Sequence, residues 1–109
     1  MKPVIVSRLA QREIEAAATF YEDRQEGLGA EFADRVAEAL SSIERAPEGY
    51  QKVYKDLRRC FLRQFTNFAL WFRVLPGNSV VVACLSGRRD PKFVRERISG
   101  IIPFRPPEP

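Results

Sequence analysis

Arg58, Arg59 and Arg63 fall within one partly apolar stretch, Leu57 to Phe65, and Arg88-Arg89 follow a second apolar stretch that closes at Leu85. Guanidinium groups so placed can grip a carboxylate or phosphate and stabilise charge developing on a phosphate oxygen, yet they are poor bases near neutral pH. The chain has no histidine, which removes Ser-His and Cys-His nucleophiles together. Ser86 and Thr66 therefore have no base to activate them. Of the three tyrosines, only Tyr54, between Lys52 and Lys55, lies near the arginines in sequence. Cys60 and Cys84 sit in apolar stretches where a reduced thiol behaves as a small hydrophobe. Their separation and the missing histidine leave no usual zinc spacing, so neither metal nor cofactor is expected. The chemistry that remains is binding: a cationic patch of Arg58, Arg59, Arg63, Arg88 and Arg89 facing an acidic partner or a phosphate backbone.

The distribution of charge sharpens that reading. The net charge of +4 combines −4 over residues 1–50 with +8 over residues 51–109. An acidic module is thus joined to a basic one. A chain of 109 residues, 45% hydrophobic and 29% charged, makes one globular domain and excludes a two-domain enzyme. No apolar run reaches the roughly 18 residues of a membrane span, and the N-terminus lacks the apolar core of a secretory signal, so a cytosolic protein is expected.

Those side chains need elements to hold them. Lys2 to Val6 reads as a short first strand, at an edge, with Ser7 as an N-cap. Ala10, Ile14, Ala17 and Tyr21 recur at helical spacing and predict a first helix fading near Glu26, where Gly27-Leu28-Gly29 turns the chain. Glu13, Glu15, Glu22 and Asp23 fall at helical surface spacings and read as a solvated face. Phe32, Val36, Ala39, Leu40 and Ile43 predict a second helix, about 30–46, stopped by Pro47. Two helices so closely joined form an antiparallel hairpin that needs a further surface to cover it.

After Pro47-Glu48-Gly49-Tyr50 the period becomes two. Leu57 to Phe65 and Phe68 to Val74 read as strands, and Pro76-Gly77-Asn78 predicts a hairpin into Val80 to Leu85, which is apolar on both faces and therefore central. Asp90-Pro91 marks a short helix through about Ile98, with a Pro-rich tail over 100–109. The expected fold is α+β, in the order β-α-α-β-β-β-short α. A strand and an αα-hairpin pack on a small antiparallel sheet, with the domain spanning 1–99.

This order resembles the RelE/ParE toxin superfamily of bacterial toxin-antitoxin modules over about residues 4–93. The resemblance is carried by Ala10-Gln11-Arg12-Glu13-Ile14 ending in Phe20-Tyr21, by Phe32, Val36 and Ile43 closed by Pro47, and by Leu57-Arg58-Arg59 with Arg63-Gln64-Phe65. Leu70-Trp71-Phe72-Arg73-Val74 and Arg88-Arg89-Asp90-Pro91 complete it. The double aromatic helix end and the terminal Arg-Arg-Asp-Pro look more like the ParE branch. Members often carry a His two residues before the Arg pair, where this chain has Ser86; the mRNA-cleaving branches commonly use a His or Tyr near the C-terminus, and 86–109 contains neither.

The resemblance implies a toxin that inhibits DNA gyrase by binding, with no catalytic residue of its own. It also implies a cognate ParD-like antitoxin that forms a hetero-oligomer with the toxin; Phe20 and Trp71, aromatics open to either core or contact, are the candidate antitoxin-binding residues. A second class, a RelE-like ribosome-dependent mRNA endonuclease, would use Lys52, Lys55, Arg59, Arg63 and Arg88 as its cationic site. A third is a superfamily member kept as a non-toxic binding module.

Overall fold

The computed structural model describes residues 2–87 and 90–101, without the side chains of 97–101. The chain runs β1 (Val4–Val6), α1 (Arg8–Arg24), α2 (Leu28–Arg45), a 3-10 turn (Pro47–Gly49), β2 (Lys52–Tyr54), β3 (Leu57–Phe61), β4 (Phe68–Val74), β5 (Ser79–Ser86) and α3 (Pro91–Ile101). The five strands form one sheet in the order β1-β5-β4-β3-β2. β1 pairs parallel to β5, and every other pairing is antiparallel. The expected α+β architecture is present, with one strand more than the sequence pattern predicts. β2 has three residues and a register break against β3, too little chain to display a period.

Local chemistry explains the helical hairpin. The Ser7 hydroxyl accepts the Ala10 N–H at 3.1 Å and caps α1. Gly27, at φ +87°, reverses the chain in the left-handed region that favours glycine. The Glu22 carboxylate then accepts the N–H groups of Gly27 (3.0 Å) and Gly29 (2.9 Å), satisfying the start of α2 with negative charge where the helix dipole favours it. Glu22 is therefore a capping residue and not simply part of a solvated face. Gly29 allows the two helices to touch, since a Cβ there would stand 2.6 Å from the Ala18 carbonyl oxygen.

The sheet has two dry faces. On one, Ala10, Ile14 and Ala17 of α1 and Phe32, Val36, Ala39 and Ile43 of α2 pack over Cys60, Leu70, Phe72, Val81 and Cys84. Tyr21, Phe32, Phe65 and Phe68 pack together near the turn that joins the two helices, with ring centroids 4.7–6.0 Å apart. On the other face, Leu57, Ala69, Trp71, Val82 and Ala83 are covered with the help of Val94 from α3. A bulge opposite Trp71 and Phe72 keeps both Val82 and Ala83 in this second cluster, where strict alternation would separate them. As expected, β5 lies between two neighbours and is buried on both sides. The Pro-rich tail beyond residue 101 lies outside the described residues.

Candidate functional site

β3 carries Arg58 and Arg59 as neighbours, and a strand sends neighbours to opposite faces. Arg58 turns toward the loop after α2, where its guanidinium donates to the carbonyls of Tyr50 (2.5 Å) and Glu48 (3.3 Å). Arg59 turns to the α3 side. It donates to the Gly87 carbonyl at 2.9 Å, lies over the Phe61 ring at 4.8 Å, and sits 5.5 Å from the ring of its cross-strand partner Trp71. The Phe61 ring in turn presses on Gly87, where any side-chain carbon would overlap it.

Arg63 lies beyond the strand end and is mostly exposed. It makes a two-pronged contact with Glu38 of α2, while its neighbour Gln64 donates to Glu31 at 2.8 Å. The hydrogen bond from Arg63, helped by the charges of Arg63 and Arg35, holds the Glu38 carboxyl below the usual carboxylate range against the opposing effect of desolvation. Three of the five arginines expected to make one patch thus reach three different surroundings. Arg88 and Arg89 lie outside the described residues. The acidic hairpin does hold one of these arginines, Arg63, through Glu38 of α2.

The two aromatic candidates part company as well. Phe20 is 49% exposed, with the Arg24 guanidinium 4.4 Å from its ring centre. Trp71 is fully buried, so with α3 in place it offers a partner no surface. Phe20 lines an open, mainly apolar groove of about 400 Å³ with Ala16, Ala17, Phe68 and Leu85, between α1 and β5. Pairing between β1 and β5 ends at Val6 and Val81, so beyond that point the β5 edge faces this groove without a strand partner. There the Glu13 carboxylate accepts the Cys84 N–H at 2.9 Å, taking the place of a strand carbonyl. Sequence reading set Glu13 among solvated carboxylates and missed its bond to the strand edge, because a side chain so placed leaves no periodic signal. Burial, reinforced by the nearby Glu13 charge, pushes the Cys84 thiol up to about 12. Among the described residues, no cluster of three or more His, Cys, Asp or Glu could hold a metal ion, and no helix is long and apolar enough to cross a membrane.

With this geometry established, comparisons place the chain among known proteins. A family model described as the ParE toxin of type II toxin-antitoxin system, parDE, matches residues 4–91. Among solved structures, the chromosomal ParDE TA system from P. aeruginosa is similar at a TM-score of 0.67 and 14% identity, covering 79% of this chain and 96% of that one. At that identity the likeness speaks for the fold. No curated protein gives a significant match.

Proposed function

The chain belongs to the ParE toxin family of type II toxin-antitoxin systems, and from that premise we propose that it inhibits DNA gyrase by binding and is neutralised by a ParD-like antitoxin. The observation that carries the reading is the dispersal of Arg58, Arg59 and Arg63. In-line cleavage of RNA needs one group to take the 2′-hydroxyl proton and another to protonate the leaving oxygen, both beside a single phosphate. Arg58 and Arg59 point to opposite sides of the sheet, and Arg63 is held by Glu38. Each is tied to a carbonyl or carboxylate, an arrangement that suits recognition better than proton transfer. On this reading the toxin traps a gyrase-DNA intermediate, and DNA breaks come from the chemistry of the target.

The groove between α1 and β5 is the antitoxin seat that this reading requires. Its apolar lining, exposed Phe20 and open strand edge suit an amphipathic segment that orders as it binds. Expression without antitoxin should induce a DNA-damage response and filamentous growth while ribosome-bound mRNA stays uncut. Codon-dependent mRNA cleavage by the purified chain, lost on changing Tyr54 or Lys55, would replace this reading with an mRNA endonuclease.

A further inference from the structure

We propose that the recess between the β2–β3 turn and α3 binds the phosphate backbone of duplex DNA. Its open volume of about 310 Å³ is lined by Tyr54, Lys55, Lys92, Arg95 and Glu96. The inference rests on the gyrase reading only for the identity of the polyanion.

The recess is cationic rather than mixed in charge. Asp56, next to Lys55 in the turn, accepts from Arg73 on β4 (2.6 Å to Nε) and from Arg95 on α3 (3.0 Å), so its charge is answered twice over. Lys55 and Lys92 are both exposed and have no carboxylate partner among the described residues. Lys55 sits at φ +52° in the turn, an unusual conformation for a lysine, with its ammonium 5.6 Å from the centre of the Tyr54 ring. Lys92 and Arg95 stand one helical turn apart on α3 and so share a face. Glu96 is the one acid of the lining, against three cations.

The type of cation selects the ligand. Arginine forks recognise carboxylates two-pronged, but here both forks are engaged with Asp56. Lys55 and Lys92 contribute ammonium point charges, which suit repeated single charges along a sugar-phosphate chain. β2 is the sheet edge, so a rigid duplex can approach without meeting the hairpin on the far face. The excess of +8 over residues 51–109, against −4 over the part that forms the hairpin, favours the same approach.

The test is fluorescence anisotropy of a short labelled DNA duplex with the full chain, titrated over a range of salt concentrations. A same-length RNA hairpin and a poly-glutamate peptide serve as competitors. The expected result is duplex binding weakened at least about tenfold by K55E/K92E, with a salt slope lowered by about 2 for two lost phosphate contacts. K55R/K92R should keep most of the affinity, and K55Q/K92Q covers the case in which charge reversal perturbs folding, each variant being checked by thermal melting. Duplex binding that ignores all three variants overturns the inference, as does stronger competition by the RNA or the peptide. A chain that inhibits gyrase yet binds no duplex overturns this inference alone. One that binds duplex through these lysines yet leaves gyrase untouched overturns the proposed function alone.

Discussion

Replacing Asp56 by Asn removes the charge that joins β4, the β2–β3 turn and α3. Arg73 is 9% exposed and is held by this carboxylate, which Arg95 also reaches from α3. Breaking a fully buried ion pair costs about 3–5 kcal/mol. The Asp56 side chain is 41% exposed and that of Arg95 30%, so solvent screening lowers the expected loss to about 1–3 kcal/mol. For a domain of this size that is a fall in melting temperature of about 5–12 °C.

The pH dependence gives a second signature. Burial by itself would raise the Asp56 carboxyl, but the hydrogen bond and charge of Arg73, with smaller help from its own backbone and Arg95, bring it below the usual value. A lowered folded value means that the stabilisation is complete above the unfolded value, about 3.9, and disappears as pH falls through the folded one. Urea unfolding of parent and D56N should therefore differ by about 1–3 kcal/mol at pH 7 and converge in strong acid. A difference below about 0.5 kcal/mol at pH 7, or one unchanged by acid, would refute the argument.

Changing Phe20 to Glu should weaken antitoxin capture by about 10–100-fold while shifting stability by under about 0.5 kcal/mol, as read by titration calorimetry and melting. The Cys84 thiol, pushed up to about 12 by burial and by Glu13, should resist alkylation at pH 8 in the native chain and react at an ordinary rate in urea, which mass spectrometry of the labelled peptides would check. Replacing Arg63 and Arg88 together by Ala should abolish growth arrest in cells. An exposed, solvent-screened pair such as Arg63–Glu38 adds little to stability, so the double variant should still fold, as circular dichroism would report.

Features written in local chemistry were legible in the sequence. Ser7 before a helical stripe, two glycines at Gly27 and Gly29 and Pro47 after α2 specify the hairpin by capping and turn geometry, without reference to the rest of the chain. Uniformly apolar β5 announced its central place but hid its bulge, since every residue from Val80 to Leu85 is compatible with either face. The three-residue β2 fell below the length at which alternation can be read.

For the site, the sequence contained a signal that the single-patch expectation overlooked: adjacent Arg58 and Arg59 on a strand have to diverge. Burial of Trp71 depends on α3 docking over the far face, and the β5 edge groove on where β1 stops pairing. Both are tertiary facts. The same holds for the recess at Lys55 and Lys92, whose lysines are separated by most of the sheet in sequence and meet only when α3 packs back against β2.

A toxin that acts by binding and one that acts by cutting leave different products. Purified toxin added to gyrase and relaxed plasmid, in parallel with translating ribosomes carrying a defined mRNA, distinguishes the two directly. The expected result is loss of supercoiling with accumulation of cleaved, enzyme-linked plasmid, both reversed by the antitoxin, and intact mRNA in the ribosome arm. Full supercoiling activity together with codon-specific mRNA cleavage would contradict it.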